Sequence, residues 1–232
     1  MNADTEKVDS FLVRDGRAIR PDLHRARWGS GYPELGPVPE TGQWFPRVSA
    51  SGVEWRPAPP LRTATVLWIG SKEDPRRHPQ VKGPDLPALG ALRAQAQAHG
   101  ADDALLHAGG FVREAANAAL VFFNGTQPLM APAEQILEST TVRASVEAGF
   151  LPRPLHREIS MVEALDLPAF VASALHGWTP VTAWILTGPD GRLHHKAAAP
   201  THTCGAGEAA AGAFDAAATN AALWRQAEKL GG

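Results

Sequence analysis

Apolar and polar positions along the chain predict short strands at the start and longer, more deeply buried elements afterwards. Phe11, Leu12 and Val13 form an apolar run that stops at Asp15-Gly16, a dipeptide that tolerates the positive backbone angles of a tight hairpin. Leu23 to Trp28, LHRARW, predicts a short helix, because Gly29, Gly31 and Pro33 follow at once and oppose its continuation. From Gly36 to Pro60 the chain is proline-rich, with WFPRVSA and VEWRPAP as strands on either side of Ser51-Gly52. TATVLWIG, residues 63–70, is dominated by β-branched and aromatic residues and reads as a buried strand; together these early strands predict one small mixed sheet. The polar, turn-prone SKEDPRRHPQ that follows sets a domain boundary near residues 71–80, which divides the chain into 1–75 and 76–232.

Beyond that boundary, LPALGALRAQAQAHG carries Leu86, Leu89 and Leu92 on roughly one helical stripe, with Gly100 suited to end the helix. ADDALLH, FVREAAN, AALVFF and TQPLM predict consecutive strands of an antiparallel sheet, with Asn124-Gly125 as a hairpin turn. STTVRASVEAG, residues 139–149, opens on hydroxyl residues and closes on glycine, as a capped helix does. AFVASALHGWTPVTAWIL crosses a turn at His176-Gly177 into a buried strand, and GPDGR makes the next turn. The alanine-dense tail from Glu208 to Lys229 predicts one helix; its GAGEAAAG follows no strand, so it is not a dinucleotide-binding fingerprint. The pattern as a whole is α+β.

The chain has 232 residues, 44% of them hydrophobic, ample for a buried core. A formal net charge of -2 without long runs of like charge gives no basis for nucleic acid or an anionic membrane as partner, so the expected partner is a small molecule. Cys204 is the single cysteine, which excludes an intrachain disulfide. With the polar N-terminus MNADTEKVDS and apolar runs no longer than AALVFF, the expectation is a soluble cytoplasmic protein. Asn124-Gly125-Thr126 matches a glycosylation acceptor but reads as a turn in such a chain.

The chemistry centres on HPQVKGPDL, residues 78–86, where Lys82 stands in a loop entering a helix. VKGPDL followed by HGADDALL, then GGFVREAANAAL, ILESTTVRASV and SALHGWTPV, with LHRARW upstream, resembles in its order the class IV aminotransferase family, the fold-type IV pyridoxal 5′-phosphate enzymes. That family includes branched-chain and D-amino-acid aminotransferases and 4-amino-4-deoxychorismate lyase. The resemblance spans roughly residues 9–186. It implies a two-domain, D-amino-acid aminotransferase-like fold, with a small N-terminal α/β domain, a C-terminal pseudo-barrel that binds the cofactor, and a homodimer acting on an amino or keto acid.

The same resemblance implies the roles. Lys82 corresponds to the Schiff-base lysine, an amine whose pKa a buried or cationic setting would lower toward nucleophilicity. Glu114 corresponds to the carboxylate that keeps the pyridine nitrogen protonated so that the ring can accept electrons. Arg27 corresponds to a phosphate-binding arginine, and Thr140 and Thr141 to the helix start whose amides and hydroxyls hold the phosphate. Ser173 and Ala174 line the phosphate side through their backbone, and His176 lies near the substrate.

Departures from the family pattern are Ala119 in place of an asparagine, Val142 in place of an arginine, with Arg143 one place later, and Ala174 in place of a hydroxyl residue. The first domain is also shortened after Trp28. An aminotransferase working through Lys82 is the principal expectation; the lyase releasing pyruvate and a catalytically inactive class IV-like dimer are the alternatives. His194, His195, His202 and Cys204 carry zinc-ligating atoms, but their spacing matches no standard structural zinc motif, and no metal is expected. Cys204, among alanines and glycines, has no evident cationic neighbour to make it a nucleophile.

Overall fold

A computed structural model describes residues 7–200 and 214–231. His202, Cys204 and the GAGEAAAG segment lie outside the described residues.

The chain opens with β1 (Val8–Asp9), then β2 (Val13–Arg14) and β3 (Arg17–Ala18), which turn at Asp15-Gly16 with both residues at positive φ. Helix α1 (Pro21–Trp28) starts on a proline, whose fixed φ suits the first helical turn, and ends at Gly29. β4 (Gln43–Trp44), β5 (Arg47–Ser49) and β6 (Gly52–Glu54) follow, and they form two small sheets rather than one: β1-β5-β6, and a four-stranded sheet in which β4 pairs with β2.

β7 (Thr65–Ile69) departs from the small sheet expected for it. It is joined through α2 (Leu86–Ala98) to β8 (Asp103–Ala108), and β7 and β8 run parallel. A parallel pair needs a long crossover, and α2 supplies it by burying Leu89, Leu92 and Ala96 against Trp68, Ala104 and Leu106. β9 (Phe111–Ala115), β10 (Ala119–Asn124) and β11 (Gln127–Met130) come next, with β8–β9 and β10–β11 as the expected antiparallel hairpins. Helix α3 (Thr140–Glu147), β12 (Leu155–His156), α4 (Met161–Ala164), β13 (Ala169–Ser173), β14 (Gly177–Thr187) and β15 (Leu193–Ala197) complete a nine-stranded sheet of order β12-β11-β10-β13-β14-β7-β8-β9, with β15 on β14. That sheet is mixed, since β7 is parallel to both β14 and β8.

Alternation along β10 explains how both faces are buried. Ala119, Val121 and Phe123 join Phe170, Ala172 and Trp178 in a cluster under α3, whereas Leu120 and Phe122 point into the curl of the sheet with Leu67, Leu105, Val171 and Trp184. Trp178 fixes α3 through its Nε1–H, which donates to Ser145 Oγ at 2.8 Å.

Among the described residues the tail helix stops short of Lys229, the end that the sequence predicts for it, and residues 208–213 lie outside the described residues. α5 spans Ala216–Arg225, and β16 (Glu228–Lys229) then pairs with β3 at the other end of the chain. Helix propensity is worth tenths of a kcal/mol per residue, so completing an open sheet edge overrides it. No helix among the described residues is long and apolar enough to cross a membrane.

Candidate active site

Lys82 lies in the loop between β7 and α2, and that loop is held by its own polar residues. Asp85 accepts from the backbone N–H groups of Arg77 (3.2 Å) and His78 (2.8 Å), which closes the segment around Lys82. Gly83 follows at φ 143°, a backbone conformation that favours glycine. The Val8 N–H donates to the Lys82 carbonyl at 2.8 Å, so β1 anchors the loop. Lys82 is half-buried, and among the described residues no carboxylate lies within ion-pair distance of its amine. Burial first, and then the Arg27 charge, lower its pKa against the opposing pull of Asp9 and Glu114.

Glu114, on β9, is 4% exposed. It accepts from Arg76 Nη1 and from the Leu137 N–H at 2.8 Å. Arg76 in turn holds Asp74 through Nη2 at 2.7 Å. Burial pushes the Glu114 pKa up to about 7, against Arg76 and the Leu137 N–H, which favour the carboxylate.

Arg27, near the end of α1, donates to Asp9 Oδ1 at 2.5 Å and to the Glu138 carbonyl at 3.0 Å. The second oxygen of Asp9 accepts from His24 Nδ1 at 2.8 Å, and Ser10 N–H donates to the first at 2.9 Å. Burial raises the Asp9 pKa, yet His24 and Arg27 together bring it down to about 2, so the carboxylate is charged. Burial lowers the pKa of His24. Arg27 therefore projects from a fixed buried network rather than from a solvated helix face.

Thr140 and Thr141 are the first two residues of α3, both buried. Ser139 caps the helix, its Oγ accepting from the Val142 N–H at 3.3 Å, which leaves the first-turn amides of the two threonines outside that cap. Ser173 ends β13 and accepts the His176 N–H at 3.0 Å; the Ala174 carbonyl accepts from the Leu12 N–H at 2.8 Å. His176 Nδ1 accepts the Arg62 N–H at 3.1 Å. Burial, followed by Arg62 and Arg93, lowers the His176 pKa to about 4, so the ring is neutral at pH 7.

One cavity of about 70 Å³ is lined by Arg27, Lys82, Glu114, Thr140, Ser173 and Ala174. Six of the eight residues singled out from the sequence thus meet in one place, although they are spread from α1 to β13. Thr141 lines a neighbouring cavity with Thr140 and His24. His176 lies in a third cavity, which also reaches Lys82. Asp9, His24, Arg76 and Ser139 were not singled out from the sequence. Ser139 carried a signal as a cap; the other three are brought in by long-range contacts that local pattern does not encode.

The described geometry accompanies clear similarities. The model of the family described as Amino-transferase class IV matches residues 46–184. No curated protein matches the chain in sequence. Among solved structures, the chain resembles a branched-chain aminotransferase of Thermoproteus uzoniensis, solved with norvaline, at 15% identity and a TM-score of 0.64, covering 82% of this chain and 80% of that one. It also resembles a Legionella pneumophila protein named as a candidate 4-amino-4-deoxychorismate lyase, at 14% identity and a TM-score of 0.61, covering 77% and 82%. A third is a branched-chain amino acid aminotransferase of T.th. complexed with N-(5′-phosphopyridoxyl)-L-glutamate, at 15% identity and a TM-score of 0.60, covering 79% and 77%. At these identities the structures establish a shared fold, and the family match extends over more than half of the sequence: the chain belongs to the class IV aminotransferases.

Proposed function

We propose that the protein is a pyridoxal 5′-phosphate-dependent aminotransferase with Lys82 as its catalytic amine. The carrying observation is the donor set of one cavity: an amine outside any ion pair among the described residues, a buried carboxylate, an arginine and a helix N-terminus. These are the partners that an aldehyde, a pyridine nitrogen and a phosphate each require. The phosphopyridoxyl adduct in one structural relative supports the same cofactor.

When bound, the cofactor supplies an aldehyde carbon for amines and a protonated ring that accepts the electron pair left when a substrate's α-proton departs. Lys82, its pKa lowered by burial and Arg27, would present a larger neutral fraction as a nucleophile toward the aldehyde carbon and as a base that takes and returns the substrate's α-proton. Glu114 would hold the ring nitrogen's proton, with its carboxylate kept oriented by Arg76. Arg27, Thr140, Thr141 and the backbone at Ser173 and Ala174 would hold the phosphate, with Asp9 fixing the guanidinium. We further propose the homodimer, the cytoplasmic location and the division near residues 71–80.

A second reading, 4-amino-4-deoxychorismate lyase, is supported by the Ser173–His176 turn, the segment that resembles that branch and that lines the cavity beside Lys82. Both readings would use Lys82 and the same cofactor-holding residues.

The test is borohydride reduction of protein incubated with pyridoxal 5′-phosphate, followed by mass mapping of the modified peptide. A reduced adduct on Lys82, absent in Lys82→Ala, supports the reading; no adduct, or turnover by Lys82→Ala, refutes it. Pyruvate release from aminodeoxychorismate without an acceptor keto acid would select the lyase.

A further inference from the structure

The turn from β13 to β14 carries an ionisable group with no part in the steps above, the imidazole of His176, which lines the third cavity together with Lys82. That turn is tightly held. The His176 N–H donates to Ser173 Oγ at 3.0 Å. Gly177 follows at φ 68°, and a Cβ there would run into the Asn220 amide. Asn220, on α5, accepts from the Trp178 N–H and donates to the Trp178 carbonyl, each at 2.8 Å. The ring is therefore presented from a fixed backbone.

The ring's hydrogen is fixed as well. His176 Nδ1 lies 3.1 Å from the backbone nitrogen of Arg62, and a backbone N–H can only donate. Nδ1 thus offers its lone pair, and in the neutral ring the hydrogen sits on Nε2. A proton added at Nδ1 would set two N–H groups against each other. Arg62 is held in place, since its Nη1 donates to the Asp102 carbonyl at 3.3 Å and Asp102 Oδ2 accepts from the Val66 N–H at 2.8 Å. Burial, Arg62 and Arg93 also oppose the imidazolium, and Asp102 favours it. Among the described residues Nε2 meets no hydrogen-bond partner. Acid–base chemistry is closed to such a ring. Nε2 could take a proton only after its hydrogen moved to Nδ1, and could lose its own only by leaving an imidazolate.

The ionisable side chains that share the cavity are Lys82, Arg47, Arg56, Arg62, Arg93 and Asp103, mostly cations, so the acceptor that fits there is anionic. Resting on the cofactor reading above, we infer that His176 binds substrate as a neutral donor only: its Nε2–H donates to a carboxylate oxygen of the amino or 2-oxo acid, and the ring neither takes nor gives a proton in the reaction. A donor already fixed in direction needs no reorganisation when the substrate arrives.

The test uses cofactor-loaded, full-length protein labelled with ¹⁵N-histidine. Long-range ¹H–¹⁵N spectra separate the two tautomers and the imidazolium, and the His176 signals are those lost in His176→Phe or His176→Gln, each checked for native circular dichroism. The expected result is a hydrogen on Nε2 and a bare Nδ1, both at pH 8 and at about pH 6, where a histidine with the usual pKa of about 6.5 is mostly protonated. A hydrogen on Nδ1, or an imidazolium at about pH 6, would overturn the inference. Propanoate is the carboxylate probe. It should shift the wild-type Nε2 signal saturably, and His176→Phe should weaken its binding roughly 10-fold, the worth of one hydrogen bond to a charged group. Saturation without a shift at His176, or equal affinity in His176→Phe, would also overturn it. Borohydride mapping of Lys82 on the same sample separates the two levels. An adduct on Lys82 without a propanoate shift at His176 sinks this inference and leaves the cofactor reading standing. A propanoate shift without an adduct overturns the cofactor reading and the substrate role that rests on it.

Discussion

Replacing Asp9 by asparagine tests the network behind Arg27. Asp9 is 2% exposed and accepts from Arg27 (2.5 Å), His24 (2.8 Å) and the Ser10 N–H (2.9 Å). The amide keeps one acceptor oxygen but turns an NH₂ toward donors, and it removes the charge that balances a guanidinium. The magnitude follows from proton linkage: a carboxyl held at about 2 rather than 3.8 contributes roughly 2–3 kcal/mol at neutral pH. For a chain of this size that corresponds to a melting-point loss on the order of 5–10 °C at pH 7. The sign is set by the depressed pKa. The stabilisation is complete above about pH 4 and is lost as pH falls toward 2, so the gap between wild type and Asp9→Asn should narrow across that window. Thermal melts monitored by circular dichroism at pH 7, 5, 4 and 3 measure it. A melting point within 1 °C of wild type at pH 7 would refute the reasoning. So would a gap that stays constant down to pH 3.

Arg27→Ala should weaken pyridoxal phosphate roughly 10- to 100-fold by loss of a charge-assisted pair, while changing single-turnover rates at saturating cofactor much less; titration of the absorption band gives both. Glu114 has a raised pKa, so the cofactor-free protein binds an extra proton between about 4.5 and 7; its stability should fall as pH rises through that range, and Glu114→Gln should remove the slope in pH-dependent melts. Ser145, fully buried, donates to the Thr141 carbonyl at 2.9 Å and accepts from Trp178 Nε1 at 2.8 Å. Ser145→Ala strands the indole donor and should cost about 1–3 kcal/mol in urea unfolding, with a secondary loss of cofactor affinity because α3 carries the phosphate-side threonines.

Much of the fold was legible in local pattern. The Asp15-Gly16 and Asn124-Gly125 turns, the short α1, the stripe of α2 and the capped start of α3 all follow from residue type and spacing, because turns, caps and amphipathic faces are local events. What local pattern missed was partnership. β7 reads equally well as a strand of either sheet, and the crossover through α2 assigns it to the large one. The alanine-dense tail favours helix to its end, yet β16 pairs with β3 across almost the whole chain.

The candidate site divides the same way. Lys82, Glu114, Arg27 and the two threonines could be named in advance because each stands in a stretch that resembles a known family, where the order of segments is preserved in the chain itself. Asp9, His24 and Arg76 could not, since an ion pair between α1 and β1, or between a loop and β9, leaves no trace in spacing. Sequence constrains what each residue prefers and can do chemically. Which distant charges share a cavity depends on how sheets curl and helices pack, a collective outcome of burying apolar faces that no short segment specifies.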